Sequence, residues 1–320
     1  HLATGTHRAM LSIVNVIVPI FALMAFGYGA VRFRLFPQDG IKSLIAFVNN
    51  FATPCLLFYS IATSDLTSAF NLGIIAPYYF GALVCFAIGI VAALKIFGNT
   101  PGEAVAAGFS GMFTNTVLIG LPIVTRAYGP EALPVTLSII GLHAALLLTV
   151  GMITMELMRR EGEHLGRTLI KAVRRIGSNP LIWSIAAGMA AYFAGLRFVE
   201  PAAAFFTMMS AAVVPAALFG IGGALNQFRL SENWKQALVA ALIKLIVHPG
   251  IAYVLMIWVF HVPMEIARYG ILLSAMPAGI NIYVFATTYN RGVGVAANTI
   301  LIGTIGSAAS ILVWLYILSL

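Results

Sequence analysis

Residues 108–129 read GFSGMFTNTVLIGLPIVTRAYG, and residues 269–290 read YGILLSAMPAGINIYVFATTYN. Each stretch is apolar and long enough to enter a bilayer, yet each holds Gly and Pro near its centre beside Asn and small polar residues. Proline removes a helical donor and clashes with the preceding turn. In hydrocarbon the freed carbonyls need a partner or a water-lined cavity. Proline in the first turn of a new half-helix avoids the problem, because its missing N–H would be unpaired there anyway. Gly120–Pro122 and Pro277–Gly279 therefore read as two breaks between half-helices. At about 1.5 Å per residue, both fall roughly 20–25 Å into their spans. Half-helix N-termini carry partial positive charge and free N–H groups, which suits an anion. The alternative for either stretch alone is a plain proline kink.

The rest of the chain has the same character. It is 320 residues long, 61% hydrophobic and 9% charged, with a mean hydropathy of +0.97. A soluble domain is about 45–50% apolar and about 25% charged. Two cysteines exclude a disulfide scaffold. The net charge of +8 does not indicate a nucleic-acid partner, because the basic residues sit between apolar runs. An all-α membrane protein remains, with the lipid bilayer as its surroundings. The first nine residues, HLATGTHRA, read as a tag remnant, with Met10 as the natural start. Apolar stretches follow near 10–31, 42–63, 72–97, 102–127, 131–158, 179–195, 201–225, 234–260, 264–289 and 293–319.

One connection, 159–178, is long and basic, carrying Arg159, Arg160, Arg167, Lys171, Arg174 and Arg175. The positive-inside rule puts it in the cytoplasm. Its side then also receives Arg32, Arg34, Lys42, Lys95, Arg229, Lys235 and Arg291; the other side has only Arg126, Arg197 and Arg268 besides Arg8 of the remnant. Both termini then face outward, which in a bacterial inner membrane means the periplasm. Five spans (10–158) precede the loop and five (179–320) follow it, so the second half inserts upside down relative to the first. Inverted repeats of this kind build many secondary transporters. Proline spacing agrees: Pro19 with Pro180, Pro54 with Pro215, and Pro122 with Pro277 occupy paired spans. In equivalent spans of a repeat, broken helices are a better reading than two separate kinks.

The run Asn115-Thr116-Val117-Leu118-Ile119-Gly120-Leu121-Pro122 resembles the N-T-x-x-x-G-x-P signature of auxin efflux carriers and their bacterial relatives. Met276-Pro277-Ala278-Gly279-Ile280, with Val284-Phe285-Ala286 and Tyr289-Asn290, is similar to that family's second crossover. The plant members' long central loop is missing here, as in the short bacterial branch. The resemblance implies transport of small carboxylates such as malonate, malate or auxin-like acids. It also implies crossed helices 4 and 9 in a moving, elevator-type transport part, and a homodimer held by scaffold helices.

Charged groups inside a bilayer are functional candidates. All ten acids fall at loops or span ends, which disfavours a carboxylate-borne sodium or proton site. Lys244 lies deep in the eighth span, and His248 one turn on shares its face. They read as a positive support beside an anion site or as a proton-responsive pair. The alternative is that Lys244 bonds backbone carbonyls and snorkels while His248 bonds across helices. His143 reads as an interhelical hydrogen bond. Asn115 and Asn281 flank the breaks; their amides suit a carboxylate, and they also suit helix capping. The candidate substrate site is therefore Asn115, Thr116, Gly120, Pro122, Pro277, Gly279 and Asn281, with Lys244 and His248. Asn49 and Asn50 either line the cavity or contact the seventh span. No metal set, phosphate loop or dinucleotide fingerprint is present, so no cofactor is expected. Gly108-Phe109-Ser110-Gly111 matches the G-x-S-G of rhomboid intramembrane proteases, with His143 or His248 as the nominal partner. In a chain with 30 glycines such a short match ranks below transport. An anion channel is the other alternative.

Overall fold

The computed structural model describes residues 2–63, 70–159, 166–167, 170, 173–174 and 177–319, with side chains from Val14 onward. Much of the basic 159–178 connection, including Arg160, Lys171 and Arg175, lies outside the described residues, as does Asp65. Among the described residues the fold is wholly helical, apart from one isolated bridge between Thr114 and Ala278.

Seven helical stretches among the described residues are long and apolar enough to cross a membrane: Val14–Arg32, Gln38–Thr63, Leu72–Lys95, Pro130–Arg159, Glu200–Gln227, Trp234–Val259 and Val293–Ser319. Thr116–Tyr128 and Pro180–Phe193 are apolar but shorter. Pro180–Phe193 has 14 residues, about 21 Å of helix. The first helix runs unbroken from Leu2 to Arg32, so residues 2–9 of the stretch read as a remnant are part of it. Outward-facing apolar side chains such as Phe26, Trp183, Phe193 and Trp258 are more than half exposed, as lipid contact requires.

Helix starts follow local chemistry. Asn71 and Asn179 each accept from the backbone N–H two residues on, at 2.9 Å. Glu103 Oε2 accepts from the Thr100 N–H at 2.9 Å and from its hydroxyl at 2.7 Å, with Pro101 in the first turn. Prolines inside spans shape the helix differently. The wide turns Val48–Ala52, Thr116–Gly120 and Ile243–Val247 each end two residues before Pro54, Pro122 and Pro249. A π-turn relieves the clash of the ring with the carbonyl one turn back.

This corrects the expected position of the first break. Gly120 has φ −63° and ψ −54°, and Leu121 is also helical, so the chain is not interrupted at Gly120–Pro122. The interruption lies upstream, at Phe113–Asn115, between Pro101–Met112 and Thr116–Gly120. The second break falls where expected: Met264–Ser274 ends before Pro277, and a new helix runs Asn281–Tyr289.

Two groups of helices pack closely within themselves and also touch each other, the first helix lying against both Leu121–Tyr128 and Val293–Ser319. Leu2–Arg32 packs on Val213–Ala224, and Thr53–Thr63 packs on Pro180–Phe193. In the other group Leu72–Lys95 lies on Pro101–Met112, and Trp234–Leu242 lies on Val293–Ser319. Gly27 rests against the Phe219 backbone and Gly222 against the Met24 backbone, so two main chains in the first group touch directly.

Candidate functional site

The two breaks meet and pair. The Asn115 N–H donates to Pro277 O at 2.8 Å, and the Gly279 N–H donates to Phe113 O at 3.3 Å. They flank the antiparallel Thr114–Ala278 bridge. Backbone groups released by one interruption are thus satisfied by the other, as a nonpolar interior demands. Gly279 permits the approach: a Cβ there would lie 3.3 Å from Asn115 Cα and 3.4 Å from its N. Gly120 serves a different contact. A Cβ at Gly120 would lie 2.6 Å from Leu273 Cδ1 and 3.3 Å from Met276 Cγ, so this residue lets the second broken helix pack closely.

A cavity of about 340 Å³ opens at the crossing, lined by Thr114, Asn115, Thr116, Gly279 and Asn281 among others. Asn49, Asn50, Asn179 and His143 also line it. A second cavity of about 360 Å³ shares Asn50, Asn179 and Asn281 with the first. Neither is lined by Lys, Arg, Asp or Glu among the described residues. The polarity is that of five asparagines, two threonines and one histidine.

Asn115 is 5% exposed. Its Oδ1 accepts from the Leu118 N–H at 3.2 Å, which caps the turn beginning at Thr116. Its Nδ2 is buried with no hydrogen-bond partner. Such an orphaned donor costs about 1–3 kcal/mol unless something accepts from it. Asn281 is exposed at the start of its helix, where first-turn N–H groups have no intrahelical acceptor.

Behind the breaks runs a buried chain of bonds. Lys244 Nζ donates to Ser274 O at 2.6 Å and lies 2.8 Å from His248 Nδ1. His248 Nε2 lies 2.9 Å from Tyr78 O. A carbonyl only accepts, so the His248 proton is on Nε2, and Nδ1 accepts from Lys244. The Thr114 N–H donates to His143 Nε2 at 3.1 Å. That nitrogen is therefore unprotonated, and the proton on Nδ1 faces Tyr78 Oη at 3.4 Å. Ser274 ends the helix before one break, and Thr114 lies in the other. Lys244, His248, Tyr78 and His143 tie the two together.

Lys244 and His248 are fully buried and line neither cavity. Lys244 bonds a carbonyl, as one expectation held, but with 0% exposure it does not snorkel. Its place at the end of Met264–Ser274 suits the negative pole of that helix. Pro277 contributes its carbonyl to the pairing, while Pro122 is buried away from the cavity. Asn49 and Asn50 line the cavity, and their turn Val48–Ala52 also packs on Val213–Ala224 of the seventh span. Ser110 is fully buried, and its hydroxyl donates to Ala106 O of its own helix at 2.9 Å. Asn179 and Tyr78 were missed. The Asn-Pro pair opening an apolar run was a legible capping signal for Asn179; nothing in sequence marks Tyr78.

A profile of the membrane transport protein family matches residues 12–315. The chain belongs to that family, the auxin efflux carriers and their relatives. It is a multi-pass membrane transport protein. A Rhizobium meliloti protein named "Putative malonate transporter" is 28% identical over 97% of each chain. Auxin efflux carrier component 8 of Arabidopsis thaliana is 21% identical over 96% of this chain and 98% of its own. An uncharacterized transporter of Methanocaldococcus jannaschii is 24% identical over 95% and 98%. Family membership therefore spans the whole fold, both broken helices included.

Proposed function

We propose that the chain is a secondary transporter of small organic anions, which bind at the crossing of the two breaks. The observation that carries this reading is the buried Asn115 Nδ2, left without an acceptor in a cavity that no Lys, Arg, Asp or Glu lines among the described residues. A carboxylate accepts from such an amide without the protein burying a fixed cation beside it. Asn281, and the N-terminus of the helix it opens, supply further donors. Thr116 and Gly279 shape the same wall, and Pro277 holds it through Asn115. Lys244 and His248 position the breaks from behind. The malonate in the name of the Rhizobium meliloti relative supports a short dicarboxylate as substrate.

In this reading the chain crosses a bacterial inner membrane ten times, as two inverted five-span repeats, 10–158 and 179–320. The packing pattern supports the repeat: first span on seventh and second on sixth are the same contact with the halves exchanged. The group containing Leu2–Arg32 and Val213–Ala224 is the scaffold and the dimer surface, and the group with the breaks moves past it. The termini are periplasmic and the 159–178 connection is cytoplasmic. No enzymatic step is involved.

The test is a current screen of reconstituted protein on a solid-supported membrane against malonate, malate and indole-3-acetate. A saturating current with at least one of them, lost in Asn115→Asp, is the expected result. A non-saturating current indicates a channel. No response to any carboxylate, or an unchanged response in Asn115→Asp, overturns the anion site.

A further inference from the structure

A large recess lies away from the breaks, where the first helix ends. It encloses about 700 Å³ and is lined by Tyr28, Arg32, Arg34, Gln38, Phe228 and Arg229 among others. Three arginines converge on it, and among the described residues no carboxylate lines it, so within the recess none of these arginines is matched by an acid. Gln38 Nε2, on the same wall, is buried with no hydrogen-bond partner.

The backbone holds this arrangement against a local preference. The Arg34 N–H donates to Val31 O at 3.0 Å and the Leu35 N–H to Ala30 O at 2.8 Å, a helix-ending motif that favours glycine at its left-handed position. Arginine occupies that position here, with φ 61°. The floor is firm: Asn226 Nδ2 donates to Tyr28 O at 3.0 Å, and Phe36 packs edge-on against Phe219 at 5.3 Å. The segment alternates Arg32, Phe33, Arg34, Leu35, and the two apolar residues are 75% and 81% exposed. Basic heads beside exposed apolar side chains, on the side that charge bias assigns to the cytoplasm, match the boundary between lipid headgroups and acyl chains.

We propose that this recess binds the phosphate headgroup of an anionic phospholipid of the inner leaflet, held by Arg32, Arg34 and Arg229, with Gln38 donating to the phosphate or its substituent. A helix dipole accounts for one cation at a helix end; it does not account for three converging arginines and an unpaired amide. Basic pockets between membrane helices on the cytoplasmic side recognise such headgroups.

The full chain in detergent, examined by native mass spectrometry, tests the proposal with dioleoylphosphatidylglycerol, dioleoylphosphatidylcholine and inorganic phosphate as separate probes. Phosphatidylglycerol should be retained over phosphatidylcholine, and each Arg→Gln change should weaken retention about fivefold, equivalent to ~1 kcal/mol per cation. Arg34→Gly is the decisive variant. It relieves the left-handed strain, so the lipid-free protein should melt higher while phosphatidylglycerol retention falls. Equal retention of the two lipids, or unchanged phosphatidylglycerol retention in Arg34→Gly and Arg229→Gln, overturns the site. Inorganic phosphate that displaces the lipid fully at millimolar concentration overturns the lipid as occupant. None of these outcomes depends on the substrate of the crossing.

Discussion

The Asn115 amide is divided between two tasks: Oδ1 caps the Thr116 turn, and Nδ2 faces no protein acceptor. Aspartate keeps the capping oxygen and replaces the donor with an acceptor of negative charge. Asn115→Asp should therefore keep the cap of the Thr116 turn and lose anion affinity by more than about tenfold, or ~1.4 kcal/mol, in calorimetric titration; wild-type affinity would remove the amide from the site. Asn115→Ala should in addition lower the melting temperature, because the cap contributes about 1 kcal/mol. Lys244 supports the same region at one remove. Lys244→Met leaves Ser274 O and His248 Nδ1 without their donor, at about 1–3 kcal/mol for each buried orphan. It should reduce transport more than Lys244→Arg, which keeps the donors. Normal transport by Lys244→Met, with only the melting temperature moved, would restrict the residue to stability.

At the scale of elements, the paired breaks are the sensitive part. Asn115 Cα and N are main-chain atoms and cannot swing away from a methyl group at position 279. Gly279→Ala should cost about 1–3 kcal/mol of stability and weaken substrate binding, read by thermal melting with and without malonate. Wild-type behaviour in both would mean that the crossing tolerates separation. The second break was legible because Met276-Pro277-Ala278-Gly279 announces itself. The first was placed some residues late, because Phe113-Thr114-Asn115 contains neither Gly nor Pro. What interrupts that helix is a set of partners elsewhere in the chain: Pro277 O for one N–H, and His143 Nε2 for another. Local sequence does not encode a competitor of that kind. Pro122, by contrast, carried a strong local signal, yet a single wide turn absorbed it. His143 was read as an interhelical bond, and its bond does cross helices; that it holds the break itself required the fold.

At the scale of the whole molecule, composition and the long apolar runs were enough to read the membrane class, and the family profile agrees over residues 12–315. A potential of 100 mV, inside negative, is worth about 2.3 kcal/mol per charge and drives an anion outward. Among the described residues no Asp or Glu lines the two cavities at the crossing to bind a coupling cation. Export from proteoliposomes clamped with potassium and valinomycin should follow voltage and persist with no sodium or pH gradient. Uphill accumulation driven by a pH gradient at zero voltage, with the substrate fully ionised, would show proton coupling and make His248 the first residue to change.

The bridge between Thr114 and Ala278 has a mechanical consequence. Flanked by the Asn115 and Gly279 bonds, it has the geometry of an antiparallel pair that is not itself hydrogen-bonded. Such pairs bring their side chains close, with Cα atoms about 4.5 Å apart, within the span of a disulfide. If the joined breaks travel as one body, their separation stays fixed through the whole cycle. Thr114→Cys with Ala278→Cys, once oxidised, would then be a staple across a seam that never opens. The oxidised and reduced forms of this pair should turn over at the same rate. A transporter that released its cargo by parting these segments would be locked by the oxidant and freed by dithiothreitol.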